Sequence, residues 1–250
     1  NDTRAVYPIR IDPTFSDADW VSLNPGIPGA NGPIRAIAAD SSGNVYVGGN
    51  FNIAGSVEAS RIAKWNGSAW SALGSGVNGN VRALAVRDGE LYAGGDFTVA
   101  GGLEANRVAK WDGSSWSALG TGMDDQIHAL AVNGGDLYAG GTFTSAGGAA
   151  NTKHIAKWDG STWSALATGM SSSFGGVYAL AVSGGDLYAG GNFTSADGVA
   201  DTKHIAKWDG STWSALGTGT NDVVIALAVS GSDLYAGGRF TMAGGVPGST

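Results

Sequence analysis

Hydrophobic and polar positions alternate along this chain in short runs, and the runs return in the same order. Val81 to Val86 (VRALAV), Leu91 to Gly95 (LYAGG), Arg107 to Trp111 (RVAKW) and Ser115 to Leu119 (SWSAL) are each bounded by Gly, Asn, Asp or Ser. A period of two over so few residues predicts strands, here named A to D, and the bounding residues predict turns. Arg87-Asp88-Gly89-Glu90 and Ser183-Gly184-Gly185-Asp186 suit tight A–B hairpins. Asn66-Gly67, Asp112-Gly113 and Asp159-Gly160 suit C–D turns that need a positive φ.

The unit repeats. Tyr46, Tyr92, Tyr138, Tyr188 and Tyr235 follow one another at 46, 46, 50 and 47 residues, the spacing of a propeller blade. Four strands cannot bury two faces alone, so the blades are expected to stack around an axis. Inner A–B pairs begin near Ile34, Val81, Ile127, Val177 and Val224, whereas complete C–D pairs occur four times. The missing pair is expected at the N-terminus, where Asp2 to Val6 aligns with Asp201 to Ile205 and Asp19 to Leu23 with Thr212 to Leu216. The expectation is an all-β fold: a single domain over residues 1–250, a five-bladed β-propeller of four-stranded antiparallel blades. N-terminal outer strands would pair with C-terminal inner strands and so cover edges that otherwise invite aggregation.

Composition narrows the function. Of 250 residues 43 are Gly and only 14% are charged, which disfavours helices and fits short strands with tight turns. A formal charge of −7 without any Lys/Arg run leaves no footprint for nucleic acid, and no apolar stretch is long enough to predict membrane insertion. Cysteine is absent, and with it thiolate chemistry and Cys-ligated zinc. Low charge with abundant Gly, Ser, Thr and Asn suits an extracellular or cell-surface protein, a monomer or part of a larger chain.

The doublets Gly48-Gly49, Gly94-Gly95, Gly140-Gly141, Gly190-Gly191 and Gly237-Gly238, followed by paired tryptophans such as Trp111 and Trp116, resemble kelch propeller repeats. The wording of the loops, GGxFTxAGG followed by IAKWDGSxWSALGxG, is more similar to repeats of secreted bacterial surface proteins and of fungal cortical cell-polarity markers. This resemblance implies the fold and says little about function, because propellers host many activities.

Residues that repeat in every blade read as packing. That covers the nine Trp, the five repeat Tyr, and Phe51, Phe97, Phe143, Phe193 and Phe240. Asp112, Asp159 and Asp209 read as turn formers, as do Asp88, Asp136, Asp186 and Asp233. The three histidines, His128, His154 and His204, show no metal-ligand spacing, so neither metal nor cofactor is expected. Three Glu at unlike positions and no nucleophile elbow give no catalytic constellation.

Positions that differ between blades are the ones free for function. Arg35, Arg82, His128, Tyr178 and Ile225 vary at the start of strand A, and Asn50, Asp96, Thr142, Asn192 and Arg239 vary just after the doublet. Both sets are expected on one rim, together with the long B–C and D–A loops. One D–A loop, containing Ser171 to Gly176, has three extra residues, and its Phe174 has no counterpart. The rim candidates are therefore Arg35, Arg82, His128, Phe174, Tyr178, Asn50, Asp96, Asn192 and Arg239. The expected function is a non-catalytic binding or scaffold module recognising a protein or glycan through this rim. The alternatives are a lectin with repeated inter-blade sugar sites and a glycoside-active enzyme on a five-bladed propeller.

Overall fold

The computed structural model describes residues 29–172 and 175–247. Four complete blades appear as four-stranded antiparallel sheets in the order A-B-C-D. They are Ile34–Ala39, Val45–Gly49, Ile62–Trp65 and Trp70–Ala72 for blade one, and Val81–Arg87, Glu90–Gly95, Val108–Trp111 and Trp116–Ala118 for blade two. Blade three comprises Ile127–Asn133, Asp136–Gly141, Ile155–Trp158 and Trp163–Ser164, and blade four Val177–Ser183, Asp186–Gly191, Ile205–Trp208 and Trp213–Ser214. A further inner pair, Val224–Ser230 with Asp233–Gly238, forms a two-stranded sheet. The strands expected between Asp2 and Leu23, and with them the proposed closure, lie outside the described residues.

The five inner strands start where the alternation places them. The outer strands are shorter than expected. Strand C begins one residue late because Arg61, Arg107, His154 and His204 sit in the left-handed region, with φ between 64° and 68°. Their carbonyls accept the N–H of Gly49, Gly95, Gly141 and Gly191. Strand D stops early because Leu73, Leu119 and Leu166 leave the sheet to pack between blades, each at most 2% exposed. Their carbonyls accept the indole N–H of Trp116, Trp163 and Trp213 of the next blade, which is why the second tryptophan of each pair repeats.

The core therefore lies between blades. Between blades one and two it holds Tyr46, Ile62, Leu73, Val81, Leu91, Phe97 and Trp116. Equivalent layers fill the next two junctions. Each inner strand packs on the next, from blade one through to the half-blade, but the half-blade's inner strand does not pack in this way on that of blade one. Ile37 is accordingly 66% exposed, and Tyr235 45%, where Tyr46, Tyr92 and Tyr138 are buried.

The turns behave as predicted. Asp112 Oδ1 accepts the N–H of Ser114 and Ser115, both at 2.8 Å, and Asp159 and Asp209 repeat the arrangement. These bonds hold all three carboxyls well below the usual carboxylate range. Asp136 and Asp186 do more than turn the chain. Each opens strand B and pairs with a strand C lysine, Lys157 at 3.1 Å and Lys207 at 3.0 Å.

Candidate functional site

Every A–B ladder breaks its register at one place. Val81 pairs with Gly95 but Ala83 pairs with Gly94, so Arg82 is an extra residue. The same β-bulge falls between Ile34 and Ala36, Ile127 and Ala129, Val177 and Ala179, and Val224 and Ala226. The extra residues are Arg35, Arg82, His128, Tyr178 and Ile225, which are the first variable set. A bulge re-aims a side chain, and five of them around an axis aim five side chains at one another. Together these residues line a cavity of about 240 Å³ at the channel mouth.

The second variable set stands one strand farther out. Asp96 is tied to a bulge residue: Arg82 donates from Nε to Oδ1 at 2.5 Å and from Nη2 to Oδ2 at 3.0 Å. Burial would push the Asp96 carboxyl up, but the bonds from Arg82 and Asn80 outweigh it and hold it below its ordinary value. Asn50, Thr142, Asn192 and Arg239 follow the doublets at equivalent positions without lining the cavity. The backbone N–H groups of Asn50, Thr142, Asn192 and Arg239 are held by the carbonyls of Pro33, Gln126, Gly176 and Val223. The Thr142 hydroxyl is buried and without a partner among the described residues. Phe174 lies outside the described residues.

Inside the mouth the His128 and Tyr178 rings meet edge to face, with centroids 5.3 Å apart. Burial first, then the charge of Arg82, keeps the imidazole pKa below its ordinary value, against the opposite pull of Asp96 and Asp125. The other two histidines are no part of this site. His154 and His204 are 5% and 6% exposed at the start of strand C.

What fixes the rim is a set of side chains that the alternation and the blade-to-blade variation do not single out. Asn31, Asn78, Asp124 and Asn221 each stand four residues before a bulge residue. Each side-chain oxygen accepts two consecutive backbone N–H groups of the B–C loop: Asn52 and Ile53, Thr98 and Val99, Thr144 and Ser145, Thr241 and Met242. Blade four, with the longer D–A loop, replaces this clamp by backbone pairing of Met170–Ser171 with Ser195–Ala196. The recurring Asn or Asp was the available signal.

Comparison with known proteins bears on this architecture. Residues 16–184 match the family model of the Rax2 C-terminal beta propeller domain. The chain belongs to that family. No curated protein matches it. Among solved structures it is similar to the computationally designed Ika4 protein, at 16% identity over 66% of this chain and 89% of that one, with a TM-score of 0.46. It is also similar to the computationally designed Ika8 protein, at 17% identity over 88% of this chain and 73% of that one, with a TM-score of 0.48. In this Rax2-type propeller the matched span takes in blades one to three and the opening of blade four. Four of the five mouth residues, Arg35, Arg82, His128 and Tyr178, fall within it.

Proposed function

We propose that this Rax2-type propeller is a non-catalytic binding or scaffold module of a cell-surface protein, and that it recognises a protein or glycan through the mouth. One observation carries the reading. The blades repeat almost everywhere, yet their bulges carry four kinds of side chain, Arg in blades one and two, then His, Tyr and Ile, and all five residues share one cavity. Packing asks for repetition and recognition for difference. Two guanidiniums, an imidazole, a phenol and an aliphatic chain suit binding; among the described residues the mouth pairs neither two carboxylates nor a nucleophile with a base. The cell-surface assignment rests on composition and on membership of the family of a fungal cell-polarity protein.

A second reading has its own support. Cavities of about 330 and 280 Å³ open at equivalent places between blades, one beside Asn106, Gly122, Asp124 and Gly148, the other beside Lys203, Gly219, Asn221 and Gly245. Repeated inter-blade sites are what a lectin would use. Screening the protein against glycan and protein arrays, then titrating each retained ligand, separates the two. One site per chain, lost in Tyr178→Ala, is expected. Several equal sites indifferent to Tyr178→Ala would favour the lectin, and turnover that survives repurification would overturn the non-catalytic reading.

A further inference from the structure

The mouth holds one guanidinium that forms no ion pair among the described residues, in a chain of net negative charge. The chain has a formal charge of −7, yet the ten variable rim positions hold three guanidiniums, Arg35, Arg82 and Arg239, and one carboxylate, Asp96. Arg82 is already engaged by Asp96 through two donors. Arg35 is exposed, lines the cavity and forms no ion pair among the described residues. The second carboxylate facing His128, Asp125, stands on the loop leading into blade three.

The remaining walls are of another kind. His128 and Tyr178 present their crossed rings and Ile225 its aliphatic chain. At about 240 Å³ the well is smaller than the roughly 300–1,000 Å³ of sites for drug-sized ligands, so it suits a single ring entering end on. The carboxamide of Asn50 on the surrounding ring suits hydroxyl groups better than apolar peptide side chains. We infer that the mouth binds the terminal carboxylate-bearing sugar of an acidic glycan, a uronic acid or its like, with Arg35 gripping the carboxylate and the His128–Tyr178 pair packing against the sugar ring. An unpaired guanidinium recognises a carboxylate through two parallel N–H donors, which gives direction as well as attraction. This inference rests on the mouth being the ligand site.

Titration calorimetry with galacturonate, glucuronate, galactose, glucose and N-acetylalanine tests it, using wild type, Arg35→Gln and Tyr178→Ala at low ionic strength. Arg35 is exposed and lies at a bulge, so its replacement leaves the fold intact, as a melting curve will verify. The uronates are expected to bind about tenfold or more tighter than their neutral parents, with Arg35→Gln erasing that preference and Tyr178→Ala weakening all the sugars. Equal binding of neutral and acidic sugars, lost in Tyr178→Ala, would overturn the acidic specificity and leave the mouth as the site. Uronate binding that ignores both substitutions would overturn both. N-acetylalanine binding as tightly as the uronates would transfer the site to peptide carboxylates, and no binding of any probe would overturn the inference.

Discussion

Two glycines per blade set how closely neighbouring chains approach. A side chain on Gly94 would press on the branched Ile127 of the next blade, and one on Gly95 would meet the carbonyl of Asn80 in the loop before its own strand A. The doublet is thus a spacing device, and the residues it makes room for lie beside the bulges. Gly94→Ala should cost about 1–3 kcal/mol by overpacking, read as a lower denaturant midpoint; unchanged stability would contradict this account. Gly175 has φ +114°, and a methyl there would collide with the Tyr178 hydroxyl and Asn192, so this position beside the mouth requires glycine. Acid sensitivity also originates in single residues. Burial, first among the causes, depresses the pKa of His128, His154 and His204. The unfolded chain therefore binds more protons once the pH falls below about 6.5, and stability is lost from there down to the folded values. The depressed carboxyls of Asp112, Asp159 and Asp209 add a second loss at still lower pH. The melting temperature should fall between pH 7.5 and pH 5, before any carboxylate loss; a flat profile there would sink the assignment of buried neutral histidines.

Strands, bulges and clamps were unequally visible beforehand. The inner strands were legible because alternation and turn residues report burial directly, and all five begin where expected. The bulges were not, because VRALAV alternates straight through Arg82 and the slip belongs to the pairing with LYAGG. The variable positions were nevertheless found, since comparing the five blades marks what packing leaves free. The clamp escaped because a lone Asn in a loop reads as an ordinary turn residue. Asn78 accepts the N–H groups of Thr98 and Val99 at 2.8 and 2.9 Å in an exposed setting. Asn78→Ala should cost about 1 kcal/mol, or about 2–4 °C in melting temperature, and should quicken amide exchange at Thr98 and Val99. Exchange unchanged at those two amides would show that the clamp holds nothing. Phe174, known from sequence alone, is expected to matter to binding and not to folding: Phe174→Ala should weaken a mouth ligand by about 1 kcal/mol or more with little change in melting.

At the scale of the molecule, the half-blade and blade one present apolar side chains that no other described residue covers, with Ile34, Ile37, Ile225 and Val246 exposed. The surplus of inner over outer strands leads us to propose that the N-terminal residues through Leu23 complete the fifth blade. Removing residues 1–23 should lower the melting temperature or cause association, and a monomer with an unaltered melting profile would contradict that closure. The central claim concerns the mouth, where five bulges converge. It is tested most directly by amide hydrogen exchange with and without the tightest array ligand. Slowed exchange is expected around Arg35, Arg82, His128 and Tyr178, and protection confined to the A–B and C–D turns on the opposite rim would contradict the account.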